Sequence, residues 1–91
     1  MNKSIAEQYA IAALNWLSEN PMDLKLFLDQ NGASINDVRI RAAEPEFLTF
    51  VLDFFLTSDQ LVVELSNHLN IKPENLSLAR DCLGGTPINW T

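Results

Sequence analysis

The sequence predicts an all-α protein, a compact bundle of about six short helices. Three observations lead there: helix start and stop signals recur at short intervals, no segment alternates apolar and polar residues as a half-buried strand would, and 47% of the residues are apolar without any low-complexity run. A chain of 91 residues buries somewhat over about 60% of its unfolded surface on folding, enough for one core. The expected organisation is a single helical domain over residues 1–91, with 84–91 as a non-helical C-terminal tail.

"SIAE" offers Ser4 as the cap of the first helix, with Glu7 placed to return a hydrogen bond to the cap's own backbone, and the helix runs to about Ser18. "NPMD" opens the second with Asn20 as cap, Pro21 at the first helical position and Asp23 near the positive end of the helix dipole. Gly32 is suited to the left-handed stop that ends it. "SIND" repeats the cap logic with Ser34 and Asp37, and this third helix must end before Pro45, which disfavours helical geometry at Glu44. Pro45 opens a fourth helix, Ser58 caps a fifth that reaches about Asn70, and Pro73 with Glu74 opens a sixth that stops at Gly84 and Gly85.

The fourth helix has more apolar surface than one contact can hide. At about 100° per residue, its apolar positions from Phe47 to Leu56 cover roughly 240° of arc, where one packed face needs little over 100°. It is therefore expected at the centre of the bundle, covered by stripes from its neighbours, with Phe50 and Phe54 deeply buried. A gapless shift that sets Tyr9 on Phe47 also sets Leu14 on Leu52, Trp16 on Phe54, Asn20 on Ser58 and Val38 on Leu76. Two pseudo-repeated three-helix halves around the central apolar helix (47–56) are one way to read that coincidence.

Charge and motif content exclude several classes of function. Twelve acidic residues against six basic ones give a net charge of −6, which repels nucleic acid phosphate and anionic membrane surfaces alike. The longest apolar run is about half the ~20 residues of a membrane-spanning helix. Cys82 is the only cysteine and no secretory signal pattern follows Met1, so the cytoplasm is the simplest compartment. His68 and Cys82 fall on different predicted helices. Glu64 and His68 share a helix face but lack further ligands, and "LGG" has no lysine to complete a phosphate loop. The expectation is no catalytic, metal or cofactor site, with neither nucleic acid nor membrane as a partner.

What remains is an interaction surface. Trp90 lies beyond two glycines and a proline in "GGTPINWT", and leaving its indole exposed costs roughly 2–3 kcal/mol relative to burial. Either this segment folds back over an edge of the bundle, or Trp90 anchors a partner or a second copy. The favoured role is a non-enzymatic protein-interaction module, with homodimerisation as one form. Its contact residues are Ile88, Trp90 and, on the surplus arc of the fourth helix, Phe47. The alternative is a small-ligand or enzymatic domain using the scattered carboxylates Asp23, Asp29, Asp37, Asp53, Glu64 and Asp81.

The paired aromatic and leucine positions of "LNWLSENP" and "EFLTFVLDFFLTSDQLV", followed by "CLGGTPINWT", give nearly the whole chain a further property. It resembles a family of small bacterial proteins catalogued as domain of unknown function 3572. The resemblance implies a bacterial, cytoplasmic helical protein with no assigned activity, and it transfers no functional residues.

Overall fold

The computed structural model describes residues 1–84, and Ile88 and Trp90 lie outside them. Six helices follow one another: α1 (Lys3–Ser18), α2 (Pro21–Asn31), α3 (Ile35–Arg41), α4 (Pro45–Leu56), α5 (Asp59–Leu69) and α6 (Glu74–Gly84). No strand occurs among the described residues. None of these helices is long and apolar enough to cross a membrane.

The start signals act largely as the sequence implies. Ser34 and Asp37 form a reciprocal capping box at α3, Ser58 accepts from the Leu61 N–H at α5, and Pro21 and Pro45 sit in the first turns of α2 and α4. Gly32 ends α2 at φ 60°, and the Ala33 N–H reaches back to the Leu28 carbonyl at 2.9 Å. Asn70 ends α5 in the same left-handed conformation, at φ 58°.

Three expectations about helix ends require correction. The cap of α1 is Asn2, whose Oδ1 accepts from the Ile5 N–H at 2.8 Å. Asparagine caps as well as serine does, and the earlier start adds hydrogen-bonded backbone that Ser4 would leave outside the helix. Asn20 precedes α2 as expected but makes no side-chain cap; its Nδ2 donates instead to the Trp16 carbonyl at 2.7 Å, closing the end of α1. Gly84, expected to begin the tail, is the last residue of α6.

α4 occupies the middle, packing against α1, α2, α5 and α6. Seven of its twelve residues are buried, Phe47, Leu48, Val51, Leu52, Phe54 and Phe55 with the polar Thr49. The Thr49 hydroxyl is satisfied within the helix, donating to the Pro45 carbonyl at 2.9 Å. Around these residues gather Ala6, Ala10, Ala13, Leu14, Trp16 and Leu17 from α1, Phe27 from α2, Leu65 from α5, and Leu76, Ala79 and Leu83 from α6. The three buried alanines of α1 lie at 3- and 4-residue spacing, which lets neighbouring backbones approach closely along that side.

Under the shift that pairs Tyr9 with Phe47, α2 falls on the bounds of α5, but α1 begins four residues ahead of α4 and α6 runs five residues beyond α3, and the halves do not share packing. α6 lies along both α1 and α4, whereas α3 buries no residue completely and touches the core only through partly buried groups such as Val38.

Phe54 is 5% exposed, as the sequence implies, and Phe50 is 40% exposed, against expectation. The helical wheel explains the difference. Phe54 lies about 20° from Phe47, whereas Phe50 lies about 60° away on the same side, beyond the edge of the buried arc. The expected effect of Phe54→Ala is a loss of about 3–5 kcal/mol, read from urea denaturation, because the ring is enclosed by aromatic neighbours that cannot collapse into its space.

Candidate functional site

α4 and α6 run antiparallel, and the outer seam between them brings together an ion pair, a helix-end glycine and an exposed aromatic ring. Asp53 and Arg80 face each other across it. Arg80 Nε donates to Asp53 Oδ1 at 2.6 Å and Nη2 donates to Oδ2 at 3.3 Å, a two-pronged pairing that planar guanidinium and carboxylate groups favour. The hydrogen bond from Arg80 to Asp53 raises the guanidinium pKa further above its ordinary value, with partial burial opposing. Because the folded value is raised, the contribution is complete below the unfolded pKa and is lost only as pH climbs through the folded one. Arg80 accordingly remains charged at any pH the fold experiences.

Gly84 belongs to the same arrangement. A Cβ placed on it would collide with Nη1 of Arg80, so the absent side chain is what lets the guanidinium lie against the last turn of α6. One turn along the seam from Asp53, Phe50 projects into a shallow groove of about 180 Å³ bordered by Pro45, Glu46, Thr49, Leu83 and Gly84. The groove is mainly apolar apart from Glu46 and the Thr49 hydroxyl, and Gly84, the last described residue, forms one end of it.

Phe47, the contact residue expected on α4, is placed in the core with 1% exposure. Its ring stands edge-to-face with Phe27 at 5.8 Å, and the Arg41 guanidinium lies over it at 5.6 Å. Arg41 also pairs with Glu44 at 3.0 Å. Ile88 and Trp90 lie outside the described residues. Phe50, which sequence reasoning assigned to the core, is the most exposed aromatic among the described residues. Its helical angle at the margin of the apolar arc is the signal that could have found it. Nothing local links Asp53 with Arg80, twenty-seven positions away.

The remaining titratable residues are dispersed. Asp29 pairs with Lys25 at 2.9 Å, Asp37 closes the α3 capping box, and His68 is exposed on α5. Cys82 is partly buried, with its Sγ 3.4 Å from the Met1 carbonyl. Among the described residues no three histidines, cysteines or carboxylates gather as a metal would require.

Replacing Asp53 by Asn is expected to reduce stability by under about 1 kcal/mol, since both side chains are partly solvated. In a Gly84→Ala background, where the new methyl displaces Arg80, the same replacement should cost measurably less. A double-mutant cycle by urea denaturation checks this coupling.

A family model described as Protein of unknown function (DUF3572) matches residues 3–86. No curated protein and no solved structure matches the chain.

Proposed function

The chain belongs to that family, whose description assigns no activity, and from its own surface we propose that it is a non-enzymatic protein-interaction module able to pair with a second copy or another protein. The observation that carries the reading is Phe50, 40% exposed near the middle of the most apolar helix and bordering an open groove. A single exposed apolar residue is ordinary on a soluble protein. Here, however, the ring adjoins Pro45 and Leu83, so a docking side chain would gain apolar contact on several sides at once.

A stable interface needs roughly 800 Å² on each partner, so Phe50 would be the centre of the contact and not its extent. Ile88 and Trp90 belong to the proposal on their sequence alone. They follow within a few residues of Gly84, and tryptophan is enriched among the residues that dominate binding energy. Phe47 would act indirectly, fixing the start of α4 through Phe27 and Arg41. An acidic chain in the cytoplasm, the compartment proposed here, would avoid nucleic acid and favour protein partners without a strongly acidic face.

Phe50→Ser should leave the helical circular dichroism unchanged and shift stability by no more than about 1 kcal/mol, while removing self-association in sedimentation equilibrium or partner capture through a photo-cross-linker placed beside the groove. A wild-type chain that stays monomeric and whose cross-linker captures no protein overturns the reading.

A further inference from the structure

Between α1, α2 and α3 the bundle leaves an apolar cleft of about 320 Å³ that the core does not fill. Its walls are Leu14 from α1, Leu24 from α2, and Ile35, Val38 and Ala42 from α3 and its end. On α3 these positions follow 3- and 4-residue spacing and, with Arg39, fall within roughly 100° of arc. The helix therefore has an ordinary apolar stripe, yet it buries no residue completely, because the stripe borders this space. Leu24, Val38 and Ala42 stay partly buried, and Ile35 is 48% exposed.

The charge around the cleft runs against that of the chain. Acidic residues outnumber basic ones twelve to six, but among the described residues no carboxylate lines this space and Arg39 does. The groove beside Phe50, by contrast, is bordered by Glu46, and a cleft between α2 and α5 by Asp23 and Glu64. Arg39 has no ion-pair partner among the described residues. The two carboxylates nearest to it in sequence are engaged, Asp37 by the Ser34 N–H at 2.9 Å and Glu44 by Arg41 at 3.0 Å. The Ser18 hydroxyl at the rim donates to the Asn15 carbonyl at 2.6 Å. The donors left for an incoming group are the Arg39 guanidinium and the Asn15 amide.

We propose that this cleft binds a small amphipathic carboxylate, its apolar body against Leu14, Leu24, Ile35 and Val38 and its head at Arg39. A planar guanidinium meets a carboxylate through two parallel hydrogen bonds, and the flexible stem of an exposed arginine can bring it over the rim. The volume lies at the lower end of the ~300–1,000 Å³ range of ligand pockets, which suits a medium-chain carboxylate better than a sterol-sized one. A cationic amphiphile would face Arg39 with like charge, and a neutral one would use the apolar walls alone. The assignment goes beyond the Phe50 surface and does not depend on it.

The test titrates octanoate, octanol, octylammonium and acetate into the isotope-labelled full chain, followed by methyl and amide NMR signals. Octanoate should shift Leu14, Leu24, Ile35 and Val38 and bind about threefold or more tightly than octanol, with octylammonium weakest. Acetate, which has the head without the body, should leave these signals in place. Arg39→Gln should remove the advantage of octanoate over octanol. Lys72→Gln, with the same net charge but outside the cleft, should preserve it. Ile35→Ser should weaken octanoate and octanol alike, which attraction between charges alone would not produce. Absence of octanoate binding, equal affinity for octanoate and octylammonium, or equal losses in Arg39→Gln and Lys72→Gln would overturn the proposal. Self-association that Ile35→Ser abolishes and octanoate does not displace would assign the cleft to a second copy, and would overturn it too. Phe50→Ser should leave octanoate binding intact, so failure here and failure at the Phe50 surface can be told apart.

Discussion

Five aromatic rings in edge-to-face contact hold the bundle together. Trp16 meets Phe55 at 5.5 Å, Phe55 meets Phe54 at 5.8 Å, Phe54 meets Phe27 at 5.6 Å and Phe27 meets Phe47 at 5.8 Å. The run begins on α1, crosses α4, reaches α2 and returns to the first turn of α4. Edge-to-face rings gain about 0.5–1.5 kcal/mol per pair beyond the area they bury, and their angles are restricted. The run therefore fixes the orientation of α1 and α2 about α4 as well as their proximity. Both surface features depend on it, because the rotation that seats Phe54 and Phe55 inward also turns Phe50 and Asp53 outward.

α6 is held by a different balance. Its inner face contributes Leu76, Ala79 and Leu83 to the core, and its outer edge is pinned to α4 by Arg80. The apolar contact supplies most of the attraction, while the two-pronged pairing, partly open to water, contributes little energy and sets the register along the helix. At Gly84 the guanidinium takes the volume a Cβ would need, and the contact is made by the flexible far end of Arg80, not by the backbone.

The sequence made the helices far more legible than the surface. Local chemistry decides a helix start, so Pro21, Ser34, Pro45 and Ser58 could be read directly. At α1 two good caps stood two residues apart, and pattern alone favoured the one with a matching Glu7. Asn2 is used, a choice between near-equivalent groups that one sequence does not resolve. The centrality of α4 followed from its apolar arc, but which edge of that arc faces water depends on where four other helices lie. Phe50 was accordingly placed inside. The Asp53–Arg80 pairing and the cleft between α1, α2 and α3 arise from residues far apart in the chain, and no local pattern announces either. Ile88 and Trp90, the residues that departed most from a plain bundle, lie outside the described residues.

α3 joins this core on different terms. It spans seven residues, owes its start to the Ser34–Asp37 box and places no side chain wholly in the interior. Its task is to carry the chain from the end of α2 to the start of α4. A connection with so little invested in the core is where the topology is easiest to edit. New termini opened between Gly32 and Ser34, or a guest domain inserted there, would leave every ring of the central run in its own helix, whereas the same cut within α4 would divide them.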